Sequence, residues 1–108
     1  MDDLYPIGKV AKIMGVSVQT LRYYSNIGLI SPAYINPTTG YRYYSVNQLH
    51  FIDRIKYLQT FGLNLNEIKD ILVNNDIPLL LKALDRQKEA FREEISRIEE
   101  KENENSGD

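Results

Sequence analysis

Four side chains near the start of this 108-residue chain share one helical face and one kind of chemistry. Gln19, Arg22, Tyr23 and Asn26 stand at i, i+3, i+4 and i+7, while Val18, Leu21 and Tyr24 lie on or near the opposite side. Arg and Gln each present paired hydrogen-bonding groups that fit a purine edge, and a tyrosine hydroxyl suits a phosphate oxygen. A second set follows at Tyr41-Arg-Tyr-Tyr44. Strand alternation there sends Arg42 to the face opposite Tyr41 and Tyr43, where it is placed as a backbone contact. The competing readings are a solvated helix face for the first set and a half-buried hairpin core for the second, with Tyr44 assigned to that core.

Other chemistry finds little support. His50 is the one histidine and there is no cysteine, which excludes disulfides, thiolate metal sites and a Cys nucleophile. No Ser-His-Asp set, phosphate-cradling glycine loop or metal-spaced cluster occurs, so neither an enzyme nor a cofactor or metal protein is expected. The carboxylates after Asp85 are spread like the outer faces of a solvated helix. No basic-then-apolar leader and no membrane-length apolar run is visible, which suits a cytoplasmic protein without a membrane role.

The elements that must hold these residues are short and well punctuated. Ile7, Val10, Ala11 and Met14 form one apolar stripe, giving a helix over Pro6–Met14 with proline in its first turn and Gly15 closing it. Ser17 caps a second helix that runs to about Ile27, before Gly28. Tyr34 and Ile35 make one strand and Tyr41–Tyr44 another, joined by Asn36-Pro-Thr-Thr-Gly40; a lone two-stranded hairpin is marginal and must lie on the helices. Ser45 and Gln48 form the capping box of a third helix, and Asn64 and Glu67 repeat that start signal for a fourth. The expectation is a mainly α, winged helix-turn-helix domain with a two-stranded β-wing over residues 4–75, the architecture of duplex-DNA binders.

After the break at Asn74-Asn-Asp-Ile-Pro78 a long helix is expected to about Glu102. Ile77, Leu84, Phe91 and Ile98 recur every seven residues, with Leu81 and Ile95 four residues after the first and third. That is an a/d seam of about three heptads, with Lys88 and Glu102 at the remaining d positions. Residues 77–102 are therefore assigned to a dimerization coil and 103–108 to a disordered tail. The net charge of −2 hides a division. Between Leu4 and Gly62 six basic residues face Asp53 alone, a net +5; from Leu63 to Asp108 seven basic residues face twelve acids, a net −5; Asp2 and Asp3 complete the sum. A basic half suited to phosphates precedes an acidic half that avoids them.

With Ile7-Gly-x-Val-Ala, Gly15-Val-Ser-x-x-Thr-Leu-Arg-Tyr-Tyr24, Gly28-Leu-Ile, Gly40-Tyr-Arg-x-Tyr44 and Asn66-Glu-Ile-Lys69, the chain resembles the MerR family of bacterial transcription regulators. The likeness covers about two-thirds of the chain, and the wing looks most like the branch that senses drugs and other organic molecules. The resemblance implies a homodimer, joined by an antiparallel coiled coil, that sits on a promoter dyad in double-stranded DNA. It implies activation by bending and untwisting an overlong spacer so that RNA polymerase can use it, and repression without inducer. By position, Val18, Gln19 and Arg22 then approach bases, and Tyr23, Tyr24, Tyr41 and Arg42 approach phosphates, with Ser17 and Thr20, at the entry of the reading helix, also assigned to DNA binding. Gln59 stands where related drug sensors often have a basic residue, and Lys56, one turn earlier, is the substitute. Drug sensors carry a ligand domain after the coil, and metal sensors carry cysteines at its end; neither follows here. The chain is thus expected to be a DNA-binding and dimerization piece, or a short regulator signalled by another route. An excisionase-like architectural protein and a coiled-coil interaction module are the alternatives.

Overall fold

The computed structural model describes residues 3–106. Its elements in order are β1 (Leu4–Pro6), α1 (Ile7–Met14), α2 (Val18–Asn26), β2 (Tyr34–Ile35), β3 (Arg42–Ser45), α3 (Val46–Gln59), α4 (Leu65–Leu72) and α5 (Ile77–Ser106). None of the helices is long and apolar enough to cross a membrane, among the described residues. Two compact units result, the first ending at Lys69 and the second starting at Asp70.

Local signals set most of the boundaries. Pro6 ends β1 and stands as the N-cap of α1 with φ −67°, the angle its ring imposes. Gly15 takes φ 67° and its N–H reaches back to the Ala11 carbonyl, closing α1 as only a residue without Cβ does cheaply. The Ser17 hydroxyl accepts the Thr20 N–H at 3.0 Å and opens α2. Both expected capping boxes are formed. Gln48 N–H donates to Ser45 Oγ at 3.4 Å while Ser45 N–H donates to Gln48 Oε1 at 3.0 Å. Glu67 N–H donates to Asn64 Oδ1 at 2.9 Å, answered by Asn64 N–H to Glu67 Oε1 at 3.1 Å. Asp76 accepts the Leu79 N–H at 3.1 Å and starts α5, after Asn75 has turned the chain at φ 55°.

The hairpin has a third strand. β3 lies between β1 and β2 and is antiparallel to both, pairing Tyr5 with Tyr44, Pro6 with Tyr43, Tyr34 with Tyr43 and Ile35 with Arg42. The wing therefore gains a neighbouring strand from the chain's start, which supplies the ladder that a two-stranded ribbon lacks. The Asn36 carboxamide oxygen accepts the N–H groups of Thr38 and Thr39 at 2.8 and 3.2 Å, and Gly40 N–H closes on the Asn36 carbonyl at 2.7 Å. An Asx turn thus shapes the wing tip from within.

In the first unit the buried core comprises Val10, Ala11, Leu21, Tyr24, Leu29, Ile30, Tyr44, Ile52, Ile55, Leu58, Leu63 and Ile68. Every helix of that unit contributes, and β3 contributes Tyr44. Gln48 Nε2 donates to the Ser31 carbonyl at 2.5 Å, pinning the link between α2 and β2 to the start of α3. In the second unit α5 continues four residues past Glu102 to Ser106. Asn103–Ser106 contain neither proline nor glycine, so nothing in them breaks the helix expected to end at Glu102. Gly107 and Asp108, the rest of the expected tail, lie outside the described residues.

Candidate nucleic-acid interface

Helix α2 divides as its periodicity requires. Leu21 and Tyr24 are buried, whereas Gln19, Arg22, Tyr23 and Asn26 are exposed, Tyr23 with 52% of its surface open. Val18 and Thr20 are half-buried at the first turn. The Ser17 and Thr20 hydroxyls lie 2.8 Å apart, so the capping hydroxyl of Ser17 and that of Thr20 are partners in the first turn. The exposed polar face is thus Gln19, Arg22, Tyr23 and Asn26, on a helix whose other side is locked into the core.

Tyr24 turns its ring inward. Only 1% of it is exposed, and burial pushes its hydroxyl above the usual value of 10.0. Its ring is a core element, because position 24 falls one turn from Leu21 on the inward stripe. Lys56 reaches toward α1 as well. Its ammonium donates to the Met14 carbonyl at 2.5 Å, forty-two residues back along the chain, and it lies 3.5 Å from where a Cβ on Gly15 would stand. A cation on the open carbonyl end of α1 complements that helix's dipole, so Lys56 clamps α3 to the turn before α2. Gln59 is exposed at the end of α3.

The wing presents Tyr41 to solvent, at 64% exposure, beside a half-buried Arg42. On the sheet face away from Arg42, Tyr34 and Tyr43 pack with ring centroids 5.8 Å apart. Arg42 shares its face with Tyr44, two residues on, which is 0% exposed. Neither Arg42 Nη1 nor Tyr44 Oη has a hydrogen-bond partner, although both atoms are buried. Burial raises the Tyr44 hydroxyl above its usual 10.0, and the positive charges of Arg42 and Arg22 pull it back the other way. The same alternation that separates Arg42 from Tyr41 and Tyr43 joins it to Tyr44, so strand periodicity alone carries the signal for this pair. Lys9 sits 5.5 Å over the Tyr5 ring, a cation–π contact on α1.

The six seam residues of α5 are all open. Ile77, Leu81, Leu84, Phe91, Ile95 and Ile98 are between 41% and 60% exposed. Elsewhere on α5, Arg92–Glu89 and Arg97–Glu94 pair at 3.0 and 2.6 Å. Exposed pairs of this kind add little stability, so they satisfy the helix surface and leave the apolar stripe uncovered.

This geometry has known counterparts. The chain is 47% identical over 68 residues to the multidrug-efflux transporter 1 regulator of Bacillus subtilis, an alignment covering 63% of this chain and 24% of that protein. It is 35% identical over 96 residues to the HTH-type transcriptional activator mta of the same organism, covering 89% of this chain and 37% of that one. The chain thus spans well under half the length of these curated relatives. Among solved structures, the EcmrR–DNA complex in EcmrR-RPo superposes with a TM-score of 0.68 at 31% identity, covering 94% of this chain and 40% of that one. Residues 5–74, which hold α1 to α4 and the whole wing, match the family model described as MerR HTH family regulatory protein, and the chain belongs to that family.

Proposed function

We propose that this chain is the DNA-binding and dimerization part of a transcription regulator that holds a promoter dyad as a homodimer and works by distorting the spacer DNA. The observation that carries this reading is the exposed face of α2, with Gln19, Arg22, Tyr23 and Asn26 outward and Leu21 and Tyr24 locked inward. An α-helix of this kind fits the major groove, where Arg and Gln discriminate bases through paired hydrogen bonds. Tyr23, Tyr41 and Arg42 hold the flanking phosphates, Val18 sits against the bases, and Ser17 and Thr20 fix the helix entry. The relatives named above support the regulatory role, one being called a transcriptional activator and another having been solved with DNA.

The open stripe on α5 supports self-association. Six large apolar side chains on one face of an otherwise charged helix favour a partner with the same seam, and an antiparallel pairing gives the dimer its dyad. One small recognition unit covers roughly 600–1,000 Å² of contact, which two units on a dyad double. The deformation of the duplex then reads spacer sequence without touching it and resets the promoter for RNA polymerase in the cytoplasm. Repeated selection of duplexes from a random library against the purified chain tests this. Enrichment of an inverted repeat, protected on both half-sites by a dimer, is expected. Recovery of no preferred sequence, with the chain monomeric in sedimentation, overturns the proposal.

A further inference from the structure

We infer that the Tyr44 hydroxyl and Arg42 Nη1 form a shared seat for one phosphodiester oxygen, with Arg22 supplying the neighbouring charge; this rests on the DNA reading above. Two buried polar atoms without partners are each a loss for the free protein, because both gave up water and gained nothing in return. They stand on the same face of the same strand, two residues apart, and both Arg42 and Arg22 act electrostatically on the hydroxyl. No carboxylate answers either arginine, since the ion pairs found among the described residues are Arg92–Glu89 and Arg97–Glu94 on α5. A guanidinium N–H and a neutral hydroxyl, both buried on one strand face without a partner or counter-charge, describe a site for an anion with several acceptor lone pairs. A phosphodiester has that chemistry, and hydrogen bonds to it are charge-assisted and short. The seat requires the half-buried Arg42 to swing outward on its side-chain torsions and so uncover the hydroxyl while β3 stays in place. Tyr44 is then a DNA ligand as well as a core ring, a role its complete burial conceals.

Tyr44→Phe removes the hydroxyl and keeps the ring, and its effects on folding and on binding should have opposite signs. The free chain should melt higher, by roughly 4–8 °C if one unsatisfied group is relieved. Binding to a mixed-sequence duplex about three helical turns long should weaken about tenfold at low salt, the loss expected for one hydrogen bond to a charged group. The salt slope should not change, because a neutral hydroxyl displaces no counterion, whereas Arg42→Ala makes it shallower. In an Arg42→Ala background the further loss from Tyr44→Phe should largely vanish, since both groups act on one phosphate. Unchanged binding by Tyr44→Phe overturns the inference and leaves the DNA reading intact. A slope that falls with Tyr44→Phe overturns it too, as the hydroxyl then merely holds Arg42 in place. Inorganic phosphate raising the melting temperature as much as the duplex does would assign the seat to a free anion and reject the DNA contact. A wild-type chain that fails to bind the duplex at any salt overturns the DNA reading itself.

Discussion

Arg22 and Arg42 carry the same charge but stand in different surroundings, and that difference separates their roles. Arg22 is exposed on the polar face of α2, free to align with a base edge, whereas Arg42 is half-sunk in the wing beside Tyr44. Arg22→Ala is therefore expected to cost about 1–3 kcal/mol on the selected operator and to relax preference at one base pair per half-site. Equal losses on operator and random DNA would reduce Arg22 to a phosphate contact. Arg42→Ala should instead weaken binding to every sequence and make the salt slope shallower by roughly one unit for each phosphate left unneutralised, two for a dimer. Titration adds a third expectation from Tyr24 and Tyr44. Burial raises both hydroxyls above 10.0, so the folded state holds their protons more tightly than the unfolded chain does. Their contribution to stability is complete below pH 10.0 and is lost as pH climbs through the raised folded values. Denaturant midpoints measured across that alkaline range should fall, and Tyr24→Phe should flatten part of the fall.

The helices around the turn are joined by a clamp rather than by apolar packing alone. Lys56 reaches from α3 to the last carbonyl of α1, beside Gly15, and so helps set the angle at which α2 leaves the turn. Lys56→Met keeps much of the side chain's bulk and removes the charge. It should lower stability by about 1.5–3 kcal/mol, the value of a hydrogen bond made by a charged group. Its salt slope on DNA should match wild type, because the ammonium is spent inside the protein. A shallower slope with unchanged stability would give Lys56 the phosphate contact expected of it as the substitute for a basic residue at Gln59. The capping boxes at Ser45–Gln48 and Asn64–Glu67 act more locally, each satisfying two backbone donors that the first turn of a helix leaves open.

A regulator built on a dyad stands or falls with its seam. Leu84 occupies one of the two a positions that flank the middle of the α5 stripe and is exposed in the single chain. Leu84→Asp would place an unpaired carboxylate in the paired interface at a cost of several kcal/mol. The variant should sediment as a monomer, keep the fold of the first unit, and lose specific operator binding. Lys88 stands at a d position, where an apolar side chain is preferred, and is exposed. Lys88→Leu should tighten the dimer with no change in sequence preference, because the change is confined to α5. A dimer that persists in Leu84→Asp would mean that another face of α5 pairs.

Where a residue's partner lies within one turn of it, the sequence alone is enough. Gly15, the Ser17 cap, the two capping boxes and the α2 stripe all depend on residues three or four positions apart, and side-chain chemistry decides those contacts directly. The open seam of α5 is legible for the same reason, since helical periodicity places its residues on one face whatever lies around them. Contacts between distant positions are another matter. β1 is three residues long, too short to show alternation, and becomes a strand only by pairing with the distant β3. Lys56 reads as an outward cation because charge in a sequence carries no direction; Met14, forty-two residues away, turns it inward. Tyr24 is inward by periodicity, but how completely its ring is enclosed depends on packing from distant positions. The unpartnered atoms of Arg42 and Tyr44 are visible only once every other group has found its neighbour, because an unsatisfied hydrogen bond is a property of the whole fold and not of any residue in it.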